Sequence, residues 1–141
     1  MMKENTIRPI SLCIIKHDGK LLVSKGYDSE KDEVFYRLLG GGIEFGETSE
    51  QALKREFKEE LDTDLENIKY VTTLENIFKW NGKPGHEIIW VFESDLTKKD
   101  LYQKDNIKIL DNKNGFASWQ KISDFKKGKL ILYSEGVVDY I

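Results

Sequence analysis

The chain has 141 residues, of which 39% are hydrophobic and 33% are charged, and its formal net charge at pH 7 is −3. This length fits one domain with a single sizeable core, which we expect to span residues 1–141. The composition excludes a disordered chain, and the negative charge gives no general attraction to nucleic-acid polymers or anionic membranes, so we expect neither as a partner. No stretch approaches the roughly 18 apolar residues of a membrane span, and the first ten residues contain no signal-peptide core. With one cysteine, Cys13, and hence no internal disulfide, we expect a cytoplasmic protein.

The beginning of the chain alternates strand-like and turn-like segments. Residues 9–16 are apolar and β-branched, and residues 20–24 follow a His-Asp-Gly turn signal, so the two segments predict a hairpin. The polar residues 26–33 predict a loop. Residues 34–39 predict a short strand that leads into a glycine turn at residues 40–42.

The pattern then becomes helical from Thr48 or Ser49 to about Leu61. Either of the first two residues can cap the helix, because a side-chain oxygen there accepts from free backbone N–H groups. Leu53, Phe57 and Leu61 recur every four residues and form an apolar stripe that should face a core.

The second half of the chain predicts a hairpin followed by short elements. Residues 70–79 and 87–93 are strand-like, and an Asn-Gly-Lys-Pro-Gly turn signal lies between them. Two short strands, a short helix and a final helix are predicted over residues 107–110, 116–121, 122–127 and 134–141. Strands that precede, flank and follow helices indicate an α/β (α+β) fold, with a mixed sheet covered by helices on its faces.

Helical geometry brings three carboxylates together on the predicted helix. With Glu56 at zero and about 100° per residue, Glu59 falls near −60° and Glu60 near +40°, beside the apolar stripe. Like charges at this spacing repel each other, so we expect a cation between them. Clustered carboxylate oxygens suit Mg²⁺ or Mn²⁺, which bind phosphates and lower the pKa of a bound water.

Residues before the acidic cluster fit the same interpretation. The planar fork of Arg55 can hold a neighbouring carboxylate. Gly40 and Gly41 let the backbone come close, and a carbonyl there could add an oxygen ligand. Glu47 precedes the helix, where the helix dipole favours a carboxylate. An acidic helix alone is usually a solvated face and three glycines alone are usually a turn, but their fixed spacing favours a site.

At this point the chain resembles the Nudix hydrolase family, whose box reads G-x5-E-x7-R-E-U-x-E-E-x-G-U, with U a bulky aliphatic residue. The match covers 23 of 141 residues, 41–63, with Phe57 at the first U. The conserved positions are filled by Gly41, Glu47, Arg55, Glu56, Glu59 and Glu60. The sequence departs from the box at its end, where Asp62 replaces the second glycine and Thr63 the final U, and Leu39 stands where a proline is common. These departures concern the helix exit and not the ligand set.

The resemblance implies an α/β/α sandwich around a mixed sheet. It also implies a metal-dependent pyrophosphohydrolase, in which water attacks a phosphorus of a nucleoside triphosphate, nucleotide sugar or dinucleotide. By position, Mg²⁺ or Mn²⁺ would be held by Glu56, Glu59, Glu60 and the backbone carbonyl of Gly40. The catalytic residues would be Arg55, which orients the acids, together with Glu56 and Glu59. Gly41 and Glu47 would support them.

Several questions stay open at the level of the sequence. The proton acceptor is Glu56 or a carboxylate outside the box, and family members often recruit a further carboxylate, for which the candidates are Glu87, Glu93, Asp105 and Asp111. Substrate-binding candidates are Arg37, His86 and Glu87, and Arg8 and Lys25 could also meet phosphates. A base could stack on Tyr27, Phe35, Tyr36, Phe78, Trp80, Trp119 or Tyr133. The alternative functions are a non-catalytic nucleotide-binding or regulatory domain and a structural domain with a fortuitous acidic helix. A homodimer is a possible assembly, without an identifiable interface.

Overall fold

The structure is a computed structural model that describes residues 5–141. Residues 1–4, which belong to the segment expected to contain no signal-peptide core, lie outside the described residues. The described chain forms β1 Arg8–Ile14, β2 Lys16–His17, β3 Lys20–Asp28, β4 Glu33–Gly42, α1 Ser49–Leu61, β5 Leu65–Trp80, β6 Lys83–Leu96, β7 Asn106–Lys108, β8 Phe116–Lys121, α2 Ile122–Lys126 and β9 Leu132–Tyr133. Two 3-10 helices span Lys99–Gln103 and Val137–Tyr140.

A mixed sheet forms the middle layer, in the order β5-β6-β1-β4-β3-β8-β7, with β2 paired to β3 and β9 to β4. β1 runs parallel to β6 and antiparallel to β4. Alternate residues of β1 enter different cores, because successive side chains of a strand point to opposite faces. Leu12 joins the core that includes Phe125 of α2, and Cys13 joins the core that includes Phe57 of α1. The predicted α/β/α sandwich is therefore confirmed.

Helix α1 matches its prediction because its start and end are set by local contacts. Thr48 Oγ1 accepts from the Gln51 N–H at 3.1 Å, and Gln51 Oε1 accepts from the Thr48 N–H at 2.9 Å, which forms a capping box. The helix ends at Asp62, whose φ of 50° is left-handed. A glycine is the usual residue in this conformation, and aspartate is one of the few others that adopt it readily. The replacement of the box glycine by Asp62 is thus compatible with the helix exit.

The predicted glycine turn is wrong. Gly40, Gly41 and Gly42 are the last residues of β4 and pair with Leu12, Ser11 and Ile10 of β1. The predicted loop at residues 26–33 is also too long, because β3 continues to Asp28 and β4 begins at Glu33. In both places a neighbouring strand keeps the backbone extended, which local sequence does not reveal.

The last predicted helix is wrong in type and length. Gly136, with φ of 93°, separates Ser134 from the 3-10 helix that begins at Val137. The predicted β-hairpin is confirmed but longer, and its turn is Asn81-Gly82, both with positive φ. The tip of this hairpin contacts the β3–β4 loop, where the Ser29 N–H donates to Asn81 Oδ1 at 2.8 Å. The β5–β6 turn and the β3–β4 loop therefore lie against each other.

Candidate active site

The end of β4 lies directly against α1. A Cβ added to Gly41 would stand 2.4 Å from Cδ of Glu56, so only glycine leaves room for that carboxyl group. A Cβ added to Gly40, whose φ is +146°, would stand 1.9 Å from the Ser11 carbonyl oxygen. The two glycines thus serve different contacts. Gly41 accommodates an acidic side chain, and Gly40 allows β1 and β4 to pair.

Arg55 connects the box residues to each other. Its Nε and Nη2 donate to the two oxygens of Glu47 at 3.1 and 2.6 Å, and Nη2 also donates to the Gly42 carbonyl at 2.8 Å. Its Nη1 donates to Glu56 at 2.8 Å and lies 3.4 Å from an oxygen of Glu59. The bonds to Glu47 are the main cause of a raised Arg55 pKa, and they lower the pKa of Glu47. Arg55 therefore holds the acids in place as a permanently charged donor.

Three carboxylates converge at the exposed side of α1. One oxygen from each of Glu56, Glu59 and Asp111 lies within 4.8 Å of the others. Asp111 comes from the loop between β7 and β8, and this loop is fixed to the helix because the Leu110 N–H donates to the Glu60 carbonyl at 2.8 Å. Of the four candidates for a further carboxylate, the structure brings Asp111 into the cluster. Nothing in the local sequence separates it from the other three.

Glu60 lies next to this cluster but deeper. Its Oε1 is buried without a hydrogen-bond partner in the structure. Burial, followed by repulsion from Glu56, Asp111 and Glu59, raises the pKa of Glu60 to about 8. Burial also raises the pKa of Glu56, against the opposing effect of Arg55. Protein groups therefore compensate the negative charge of Glu60 only in part.

The residues present fit a divalent cation. The converging donors are all carboxylate oxygens, which suits Mg²⁺ or Mn²⁺ better than metals that prefer nitrogen or sulfur. The buried Oε1 of Glu60, which has no hydrogen-bond partner among the described residues, supplies a further oxygen. The structure thus has the chemistry of a hard-cation site at the predicted helix, and it leaves the predicted carbonyl ligand at Gly40 as a prediction.

A cavity of about 210 Å³ lies between the β5–β6 hairpin and strands β4 and β9. It brings together four of the aromatic candidates and two of the three substrate-binding candidates, which are Phe35, Phe78, Trp80, Tyr133, Arg37 and Glu87. The rings of Phe35 and Tyr133 stack with centroids 4.0 Å apart.

Buried Glu87 accepts from Arg37 Nη2 at 2.7 Å inside this cavity. His86 does not line the cavity, since neighbouring side chains of β6 point to opposite faces. A wider depression of about 610 Å³ around His17 is lined by other candidates, namely Lys25, Tyr36, Asp105 and Trp119, and by none of the box acids.

Two contacts of this region were not anticipated from the sequence. Glu44 lies 3.8 Å from Arg55, and Arg8 lies 3.5 Å from Glu87, whereas the sequence predicts Arg8 only as a phosphate contact. Both depend on pairing between distant strands or loops, and no local pattern indicates them.

The comparisons with known proteins agree with this geometry. The family model described as NUDIX domain matches residues 6–135. The chain belongs to the Nudix hydrolase family. It is similar to the NAD-capped RNA hydrolase NudC of Klebsiella pneumoniae (strain 342), with 30% identity over 74% of this chain and 42% of the relative. The NudC protein of Vibrio atlanticus (strain LGP32) is 36% identical over 45% of this chain and 23% of that relative. The chain thus spans less than half the length of these curated Nudix relatives.

Solved Nudix structures share the fold. The MutT NUDIX hydrolase from Burkholderia pseudomallei has a TM-score of 0.62 and 20% identity, and the match covers 84% of this chain and 86% of that one. The NUDIX hydrolase from Nitrosomonas europaea has a TM-score of 0.66 and 17% identity, covering 95% and 85%. Among residues 5–141, none of the helices has the length and apolar character needed to cross a bilayer.

Proposed function

We propose that this Nudix domain, spanning residues 1–141, hydrolyses the diphosphate linkage of a nucleoside diphosphate joined to another group, with Mg²⁺ or Mn²⁺ as cofactor. The supporting observation is the convergence of Glu56, Glu59 and Asp111 within 4.8 Å beside the Arg55 network. The substrate class comprises nucleoside triphosphates, nucleotide sugars and dinucleotides. The names of the similar NudC proteins, which act on NAD-capped RNA, keep a dinucleotide linkage within this class.

The acidic side chains have distinct parts in this proposal. Glu56, Glu59, Glu60 and Asp111 would hold the cation, with the Gly40 carbonyl as a further ligand. When bound, the cation supplies neutralisation of phosphate charge and a water of lowered pKa. Arg55 keeps the carboxylates at fixed positions, so that the site does not reorganise during the reaction.

The proton of the attacking water needs an acceptor close to the cluster. Arg55 donates to one oxygen of Glu56, Oε1, and leaves Oε2 available for a water. Asp111 is exposed and belongs to the same cluster, so it is the alternative acceptor. Both carboxylates can be reached by a water on the solvent side of α1.

The aromatic cavity suits the base of such a substrate. Its volume of about 210 Å³ matches one flat ring system better than a whole nucleotide, and aromatic rings on its walls can stack on a base. The bond to be cleaved would then lie outside the cavity, toward the carboxylate cluster.

A second function is a non-catalytic nucleotide-binding or regulatory domain. The same cavity would serve that function, but the full set of box acids, including both Glu56 and Glu59, favours catalysis. The two functions differ in turnover and not in fold.

The experiment is the release of phosphate or pyrophosphate from a panel of nucleoside triphosphates, nucleotide sugars and dinucleotides, with magnesium and with chelator. Wild type is compared with Glu59→Gln, and with Glu50→Gln as a control on the same helix. Glu50 is exposed, and within residues 5–141 its ion pair is with Lys54. We expect metal-dependent turnover in wild type and Glu50→Gln and a loss of most of it in Glu59→Gln. Absence of turnover across the panel, with nucleotides still raising the melting temperature, would favour the binding domain.

A further inference from the structure

We infer that Arg8 binds the substrate phosphate nearest the nucleoside, at a position between the aromatic cavity and the carboxylate cluster, and that Glu87 holds Arg8 there. This inference rests on the proposed function, since it assigns a binding residue to the same site. It goes beyond the box, because Arg8 lies at the start of β1, outside residues 41–63.

The three arginines of the chain are all found at this site. The guanidinium nitrogens of Arg55 contact Glu47, Glu56, Glu59 and the Gly42 carbonyl, so its hydrogen-bond donors are occupied by protein acceptors. Arg37 donates to Oε1 of Glu87 at 2.7 Å. The Nε of Arg37 is buried without a partner among the described residues. Arg8 has the most exposed side chain of the three, at 39% against 28% for Arg37 and 24% for Arg55, so its guanidinium is the most accessible to a ligand from solvent.

Arg8 shares the carboxylate of Glu87 with Arg37. Its Nη1 lies 3.5 Å from Oε2 of Glu87, and within residues 5–141 Glu87 is the acidic residue with which Arg8 forms an ion pair. Two guanidinium groups and one carboxylate leave a net charge of about +1 beside the cavity. Glu87 is 3% exposed, whereas the side chain of Arg8 is 39% exposed, so the surplus positive charge faces solvent at Arg8.

The position of Arg8 connects the two parts of the site. Arg8 pairs with Glu87 in the parallel register of β1 and β6, and Glu87 lines the aromatic cavity. On its other side, Nη2 of Arg8 lies 3.5 Å from the place where a Cβ of Gly42 would stand. The carbonyl of Gly42 accepts from Arg55 at 2.8 Å. Arg8 thus lies beside Gly42, which accepts a hydrogen bond from Arg55, and beside Glu87, which lines the cavity.

A phosphate at this place needs a cation. The cluster of Glu56, Glu59 and Asp111 repels phosphate, so a substrate phosphate not held at the cluster is stabilised by a separate positive group. A guanidinium is suited to this because it can donate two parallel hydrogen bonds to phosphate oxygens. When the base lies in the cavity, the phosphate nearest the nucleoside contacts Arg8, and the following phosphate lies at the carboxylate cluster. This order favours nucleoside diphosphate derivatives over nucleoside monophosphate esters.

The test measures binding and not turnover. The dissociation constants of the four common nucleoside 5′-monophosphates and their nucleosides are determined calorimetrically in magnesium, because monophosphates have no diphosphate linkage to cleave. Wild type is compared with Arg8→Ala, Arg8→Lys and Lys16→Ala. Lys16 is the control, since it is exposed and lies beyond the opposite end of β1.

We expect wild type to bind at least one nucleotide about 10- to 100-fold more tightly than its nucleoside, as hydrogen bonds to charged groups provide. Lys16→Ala should keep this ratio, Arg8→Lys should keep part of it, and Arg8→Ala should reduce it to near one. Glu87→Gln should reduce the ratio in the same direction, with its melting temperature measured to detect unfolding.

An unchanged ratio in Arg8→Ala, or a ratio of one in wild type, would overturn the role of Arg8. The hydrolysis panel separates this failure from failure of the proposed function. Turnover by wild type with an unchanged KM in Arg8→Ala contradicts the role of Arg8 alone, whereas no turnover by wild type on any compound contradicts the proposed function.

Discussion

The two glycines at the end of β4 give a sharp test of how the backbone shapes the site. A Cβ at Gly41 would stand 2.4 Å from Cδ of Glu56, and ordinary contact begins at 3.4 Å, so the carboxyl group must move by about 1 Å. The end of a glutamate side chain can make this movement at a cost of about 1 kcal/mol or less, well within the range for overpacking. A displacement of about 1 Å in a catalytic group can nevertheless cost roughly 100-fold in rate.

We therefore expect Gly41→Ala to fold and to lose function. Its melting temperature in chelator should lie within a few degrees of wild type, as about 1 kcal/mol allows for a domain of this size. Its rate of diphosphate hydrolysis in magnesium should fall by about 100-fold, and magnesium should raise its melting temperature less than that of wild type.

Gly40→Ala is the matched comparison with the opposite outcome. Its Cβ would stand 1.9 Å from a backbone oxygen of Ser11, and its φ of +146° disfavours any side chain. Because backbone cannot yield as a side chain can, we expect a loss of about 3 kcal/mol or more of unfolding free energy. Hydrolysis by Gly41→Ala within twofold of wild type, or a wild-type melting temperature for Gly40→Ala, would refute this reasoning.

Three further predictions concern the acids and their partner. Arg55→Lys should lower the hydrolysis rate by about 100-fold, because a lysine cannot replace the planar guanidinium that contacts Glu47 and Glu56. Lys54→Arg, on the exposed face of the same helix, is the control and should keep the wild-type rate. Asp111→Asn should weaken Mn²⁺ binding by roughly tenfold or more, and it should not lower the melting temperature in chelator, because Asp111 is exposed. The control Asp105→Asn should change neither quantity, and equal effects of the two variants would contradict the choice of Asp111. In chelator, the unfolding free energy should fall as pH rises from about 5 to about 8, because the pKa of Glu60 in the folded protein, about 8, lies above its ordinary value of 4.5. The stability that the protonated Glu60 contributes is fully present below pH 4.5 and is lost as the pH rises through 8. Glu60→Gln should flatten that slope in urea titrations by a few kcal/mol in total, at about 1.4 kcal/mol per pKa unit, and an unchanged slope would exclude Glu60 as its source.

The parts of the fold set by local chemistry could be predicted from the sequence. Helix α1 begins and ends as predicted because Thr48 caps it through Gln51 and because its apolar stripe has helical spacing. The Asn81-Gly82 turn is predictable for the same reason, since few residues adopt its positive φ angles. Elements decided by a distant partner were mispredicted. Gly40 and its neighbours are extended because β1 pairs with them, although three glycines in sequence favour a turn.

The same distinction applies to the candidate site. The grouping of Glu56, Glu59 and Glu60 near one helix face follows from helical periodicity and from the box. The choice of Asp111 depends on a hydrogen bond between Leu110 and the end of α1, which sequence spacing does not contain. The contact of Arg8 with Glu87 likewise depends on the register of β1 against β6.

The measurement that tests the central claim most directly is a titration of Mn²⁺ followed by electron paramagnetic resonance, in wild type and in Glu59→Gln. It reports the cation at the acidic cluster without the choice of a substrate. We predict that wild type removes Mn²⁺ from the signal of the free ion, that Mg²⁺ competes for the same place, and that Glu59→Gln binds Mn²⁺ at least about tenfold more weakly. Wild type that binds no Mn²⁺, or Glu59→Gln that binds it as tightly as wild type, would contradict a cation site at these carboxylates.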